Sequence, residues 1–179
     1  MIGSAFAGTS TSNENKQRKT SMPNEIDALF VRLREATIPA EIETLQNSIW
    51  QLWLTTGDQS LDKYLEAGMR AMAAGNYTQA IADFTALIEV QPAYAEGWNK
   101  RATAYYLRGE YRASLADVRE TLRREPRHFG ALSGSANMLR TLSDYQGTLR
   151  ILQRLELLCP HWPGLQNQLR ELRDQLGEA

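Results

Sequence analysis

The sequence predicts an all-α fold built as a stack of helix-turn-helix repeats. Three observations predict it. Residues 61–94, 95–128 and 129–162 align beneath one another as three gapless blocks of 34 residues. From Asn24 onward, apolar residues recur every three or four positions, the spacing of one buried helix face. Each block carries proline at position 32, as Pro92, Pro126 and Pro160, where the missing backbone donor and the ring end a helix.

Composition sets the outer limits. The chain has 179 residues, of which 42% are hydrophobic and 23% charged, as in an ordinary folded domain. Its 20 basic and 21 acidic side chains leave a net charge of −1, so no overall field draws in nucleic acid or an anionic membrane. No apolar run approaches the roughly 20 residues that cross a bilayer, so membrane insertion is not expected. Cys159 has no second cysteine to pair with, and His128 and His161 have no ligand companions at metal spacing. No cofactor and no metal is expected.

Residues 1–23 are rich in Ser, Thr, Asn, Gly and Lys and read as a disordered N-terminal arm. Ser4-Ala5-Phe6-Ala7-Gly8 has the small-x-small pattern that precedes a secretory cleavage site. The expected compartment is therefore soluble and cytoplasmic, unless an upstream signal precedes this segment, in which case the chain is periplasmic or exported.

Residues 24–60 form the next unit, an N-terminal helical hairpin. Asn24 can cap a helix over about 25–36 in which Ile26, Leu29, Phe30 and Leu33 share a face. Pro39 suits the first turn of a second helix, with Ile42, Leu45, Ile49, Trp50, Leu52 and Trp53 as its apolar side and Gly57 as its stop. Trp50 and Trp53 read as core residues. The hairpin is expected to cap the first end of the stack.

Within the 34-residue blocks, position 4 holds Tyr64, Trp98 and Leu132, and position 8 holds Gly68, Ala102 and Ala136. Position 17 holds Tyr77, Tyr111 and Tyr145; position 20 holds Ala80, Ser114 and Thr148; position 24 holds Phe84, Val118 and Leu152. Small residues at 8 and 20 let paired helices cross closely, and bulky ones at 4, 17 and 24 fill the space around the crossing. Trp98 is accordingly expected between helices. Gly75 and Gly109 suit the turn inside a block because glycine tolerates positive φ. The third block departs, with Ser143 at that turn and Gly147 inside its second helix, and the second block has Arg101 at the usually apolar position 7.

This pattern resembles the tetratricopeptide repeat family. The resemblance covers residues 61–162 and implies a right-handed superhelical stack of three such units. Residues 163–179 read as a capping helix opened by Pro163, with Leu165, Leu169, Leu172 and Leu176 as one stripe and Gly177 beyond its end.

The resemblance also implies a function. First helices of successive repeats line a concave groove that grips a peptide or protein segment, at about positions 2, 5, 9, 12 and 13. The residues put forward as this partner-binding groove are Met69, Met72, Asn99, Lys100, Thr103, Tyr106, Asn137 and Arg140. Asparagine amides suit an extended backbone, methionines mould around apolar side chains, and Arg140 with Lys100 can hold a carboxylate. The clamp that related proteins use for acidic chaperone tails is absent: Leu65, Met69, Lys100, Gly130 and Gly134 stand where its Lys, Asn, Asn, Lys and Arg would be.

No G-x-S-x-G, G-x-x-x-x-G-K-[ST], G-x-G-x-x-G or H-E-x-x-H occurs, and the chain reads as non-enzymatic. Cys159 reads as a bystander thiol, and His128 and His161 lie in loops between repeats. Residues 24–94 are net acidic and 95–128 net basic, an asymmetry that can steer a partner or a second copy docking head to tail. Arg112, Arg119, Arg123, Arg124 and Arg127 read as a solvated face. Two functions follow: a protein-binding adaptor, or a structural subunit of a larger complex or homo-oligomer that docks by exposed helix faces.

Overall fold

A computed structural model describes residues 25–178, which fold into nine helices with no strand among the described residues. In chain order these are α1 (25–35), α2 (Pro39–Leu54), α3 (Gln59–Ala73), α4 (Tyr77–Val90), α5 (Ala95–Leu107), α6 (Tyr111–Arg124), α7 (Phe129–Thr141), α8 (Tyr145–Leu158) and α9 (Leu165–Leu176). The expected arm and Asn24 lie outside the described residues. The pairs α3–α4, α5–α6 and α7–α8 are the three repeats, each packed on the next, and α9 packs on α8. No helix among the described residues is long and apolar enough to cross a membrane.

The steric reading of the repeat holds at positions 8, 20 and 24. A Cβ on Gly68 would come within 2.4 Å of the Phe84 ring, so position 8 must be small where position 24 is large. Ala80, Ser114 and Thr148 are each 0% exposed at the helix crossings, and Ser114 Oγ donates to the Ala102 carbonyl at 2.7 Å. Tyr77, Tyr111 and Tyr145 each begin the second helix of a repeat in a half-buried setting. The three inner turns are equivalent in backbone: Gly75, Gly109 and Ser143 have φ of 72°, 84° and 60°. Ser143 therefore bears a conformation that glycine adopts without cost.

Polar side chains close the helix starts. Asp58, Asn76 and Asp144 accept the backbone N–H of Ser60, Gln79 and Gly147. Gly147 has a further reason to be glycine, since a Cβ there would meet the capping Asp144 carboxylate at 2.4 Å. The last helix starts later than Pro163 suggests: Gly164, at φ 79°, is the N-cap and the helix opens at Leu165.

Two charged positions differ from expectation. Arg101 sits at an apolar position because it has a partner, donating to both Asp117 oxygens at 2.7 and 2.9 Å and to Thr85. Hydrogen bonding to Asp117 pushes the Arg101 guanidinium further above its usual range. Trp98 is not a core residue. It is half-buried, lies between the guanidinium groups of Arg101 and Arg124 at 5.0 and 4.4 Å, and donates to the Pro92 carbonyl. Arg124 is correspondingly no part of a solvated face, with 11% of its side chain exposed. The repeat period marks which positions recur, and cation–π stacking on a surface aromatic meets that rule as well as burial does.

The hairpin α1–α2 corrects a larger expectation. It does not cap the first repeat; it lies along the stack, beside the starts of the first helices. The turn before α2 is beside residues 160–167, where Thr37 and Trp162 border one pocket. Further along, Trp50 rests on Gly130, Trp53 presents its carbonyl to Tyr94 Oη at 2.8 Å, and residues 54–57 reach Asp62 and Leu65. From α1, Asp27 pairs with Arg127 at 2.6 Å and Phe30 packs against Phe129. Leu33, Ile42, Leu45 and Ile49 are almost wholly buried in one core that extends through Phe129 and Leu132 to α8 and α9. Burial of this kind contributes roughly 1.5–3 kcal/mol per side chain, so the hairpin is a permanent part of the fold.

Candidate binding trough

The helices α3, α5 and α7 present the face that the repeat pattern assigns to a partner, and the hairpin covers its N-terminal edge. Beneath that cover is a buried charged cluster. Glu96, in the first turn of α5, is 1% exposed, and His128, at the start of α7, is 0% exposed. Glu96 Oε2 lies 2.8 Å from His128 Nε2 and 3.1 Å from Asn99 Nδ2. Its Oε1 is 3.2 Å from Lys100 Nζ, a charge pairing off the hydrogen-bond direction. His128 Nδ1 accepts the Ala131 N–H at 3.1 Å, so this imidazole is the N-cap of α7 and its ring hydrogen is assigned to Nε2, facing the carboxylate. Trp53 stacks on the imidazole at 4.1 Å, and Lys100 Nζ lies 5.3 Å from the Trp50 ring.

His128 is thus more than a loop residue. It joins two repeats and the hairpin. Beside it, burial first and then the Glu96 and Asp62 charges push the Tyr94 phenol well above its ordinary value of 10.0. Cys159 does fit the inert reading: it is buried, and desolvation pushes its thiol up to about 11. Among the described residues no group of three or more His, Cys, Asp and Glu side chains is arranged to hold a metal.

Past the hairpin the trough is open. Asn99, Thr103 and Tyr106 of α5 and Asn137 of α7 border one cavity of about 130 Å³. Ala102, Val118 and Ala131 form its apolar floor, and Gly134 opens onto it, with no atom within 4 Å of where its Cβ would be. The structure thereby brings together four of the eight residues put forward from the sequence. The other four stand elsewhere. Met69 borders a shallow pocket with the 54–57 turn, Met72 packs against the core of the first repeat, and Arg140 is exposed in the last turn of α7. Lys100 is committed to Glu96 and is not joined with Arg140.

The comparisons with known proteins agree with this geometry. The tetratricopeptide repeat family model matches residues 65–111 and 99–156. A TPR repeat-containing protein of Rhizobium etli is 31% identical over 163 residues, covering 91% of this chain and 80% of its own. The chain belongs to the tetratricopeptide repeat family. TPR domains of known structure share its fold: the first TPR of Spaghetti, bound to an HSP90 peptide, has a TM-score of 0.60 at 20% identity, covering 66% of this chain and 97% of that one. The TPR2B domain of yeast Sti1, in complex with pHsp70, has a TM-score of 0.59 at 15% identity, covering 66% and 99%. At such identities the likeness is one of fold. The TPR fold is a protein–protein interaction module, and here its trough carries two features that the repeat pattern does not specify: the covering hairpin and the Glu96–His128 cluster. The signals for the second were the acidic residue at position 2, the lysine four residues later and the histidine just before the next block.

Proposed function

We propose that this chain is a non-enzymatic adaptor that holds an extended segment of another protein in the open part of its trough, between α5 and α7. The observation that carries the reading is the convergence of Asn99, Thr103, Tyr106 and Asn137 on one cavity in a fold whose use is protein interaction. Hydroxyl and amide groups at the rim suit the backbone of an extended segment, and the apolar floor suits its side chains. Peptide binding is extended here from the TPR domains that hold HSP90 and pHsp70 ligands. The acidic tail of the HSP90 peptide SRMEEVD is not, because Leu65, Met69, Lys100, Gly130 and Gly134 stand at the positions of the carboxylate clamp.

The test is selection of peptides from a displayed random library on the whole chain, followed by binding to the double variant Tyr106→Ala, Asn137→Ala. Both side chains are exposed, so melting temperature is expected to stay within about 2 °C while affinity falls at least tenfold. Unchanged affinity contradicts the proposal. Asn99 is unsuitable for this test because it is buried against Glu96.

A second reading, as an assembly subunit, is favoured by Ile38, Val90 and Leu157, which are 61%, 57% and 72% exposed. Light scattering across a concentration series separates the two: a concentration-independent monomer counts against self-assembly.

A further inference from the structure

From the cavity between α5 and α7 we infer the chemistry of the segment held there: an uncharged stretch that inserts one aliphatic side chain, of leucine or methionine size, between Asn99 and Asn137. This rests on the proposed adaptor function. A cavity of about 130 Å³ is too small for a drug-sized ligand, which needs roughly 300–1,000 Å³, and is close to the size that takes one benzene-sized group. It therefore receives a single side chain.

No Asp, Glu, His, Lys or Arg borders this cavity, so a charged side chain entering it would lose water and gain no opposite charge, which strongly disfavours its binding. Apolar contact is available from Ala102, Val118, Ala131 and Met138. The rim speaks for an extended backbone on either side of the anchor. Glu96 accepts from Asn99 Nδ2, and a carboxylate accepts only, so the amide is oriented with Oδ1 away from Glu96, as an acceptor for a segment N–H. His128 and Lys100 hold Glu96 in turn, and so the buried cluster positions Asn99 without touching the segment.

The experiment uses the whole chain and Gly134→Leu, which places an aliphatic side chain of the protein itself in the cavity. The fold accommodates this substitution, since the Cβ direction at Gly134 is open and leucine is the better helix former; an undiminished melting temperature verifies it. Peptides selected from a random 12-residue displayed library are bound to the wild type, to Gly134→Leu and to Tyr106→Ala, Asn137→Ala. The expected result is a shared aliphatic position with uncharged neighbours, at least tenfold weaker binding to Gly134→Leu, and at least tenfold weaker binding again when the shared residue is changed to Asp. Peptides that keep their affinity for Gly134→Leu, or prefer a charged anchor, yet lose it with the double variant overturn this inference and leave the adaptor reading standing. Peptides indifferent to both variants overturn both.

Discussion

Glu96 and His128 meet at 2.8 Å with neither exposed to solvent, and this contact joins the first turn of α5 to the N-cap of α7. The carboxylate also serves Asn99 and Lys100. Removing it leaves a largely buried ammonium and a buried ring N–H without an acceptor. Glu96→Ala is expected to destabilise the fold by about 3 kcal/mol, read as a lower midpoint in chemical denaturation. A loss below about 1 kcal/mol contradicts the cluster.

Gly130 and Gly134 share a helix but not an environment. A Cβ on Gly130 would meet the Trp50 ring at 2.6 Å, whereas one on Gly134 meets nothing. Glycine to alanine in a helix interior ordinarily gains about 1 kcal/mol. Gly134→Ala should show that gain, and Gly130→Ala should reverse its sign by pushing the hairpin off α7. Thermal melts of the two variants side by side decide the matter; equal stabilisation of both would remove the hairpin from its place.

Ser143 occupies the inner turn of the third repeat at φ 60°, where the other repeats have glycine. The left-handed conformation costs a non-glycine residue roughly 1–2 kcal/mol. Ser143→Gly is expected to stabilise by about 0.5–1 kcal/mol, since glycine's greater freedom in the unfolded chain offsets part of the gain. A melting temperature that falls would show the turn to be unstrained.

Tyr94 supplies the pH dependence. Its phenol is raised above 10.0 chiefly by burial, so the folded state holds the proton more tightly than the unfolded chain. The contribution of Tyr94 is then fully present below pH 10 and lost as pH rises from there toward the folded-state value. Denaturation midpoints between pH 9 and 11.5 should fall more steeply in the wild type than in Tyr94→Phe, although the variant lacks the bond to the Trp53 carbonyl and starts lower. Parallel slopes contradict the assignment.

The repeats were legible because their constraint is local and steric: Gly68 against Phe84, Ser114 at a crossing and Gly75 in a turn act within one block and recur 34 residues later. Four trough residues could be placed for the same reason, since a helix register fixes which positions of α5 and α7 look the same way. The hairpin's seat was not legible. Periodicity shows that Trp50 and Trp53 lie on a buried face but not what buries it, and their partners, Gly130 and His128, lie about 75–80 residues away in sequence. Trp98 was misplaced because a recurring bulky position can be filled by an indole stacked on Arg101 and Arg124 as well as by a core residue.

An amide and indole NMR titration of the whole chain with a library-selected peptide separates the open trough from its covered edge. Shifts should concentrate at Thr103, Tyr106, Gly134 and Asn137, while the indole N–H signals of Trp50 and Trp53 stay in place under the hairpin. Shifts confined to α6 and α8, or Trp50 and Trp53 signals moving to solvent-exposed positions as peptide is added, would contradict a trough that is open between α5 and α7 and permanently covered at its edge.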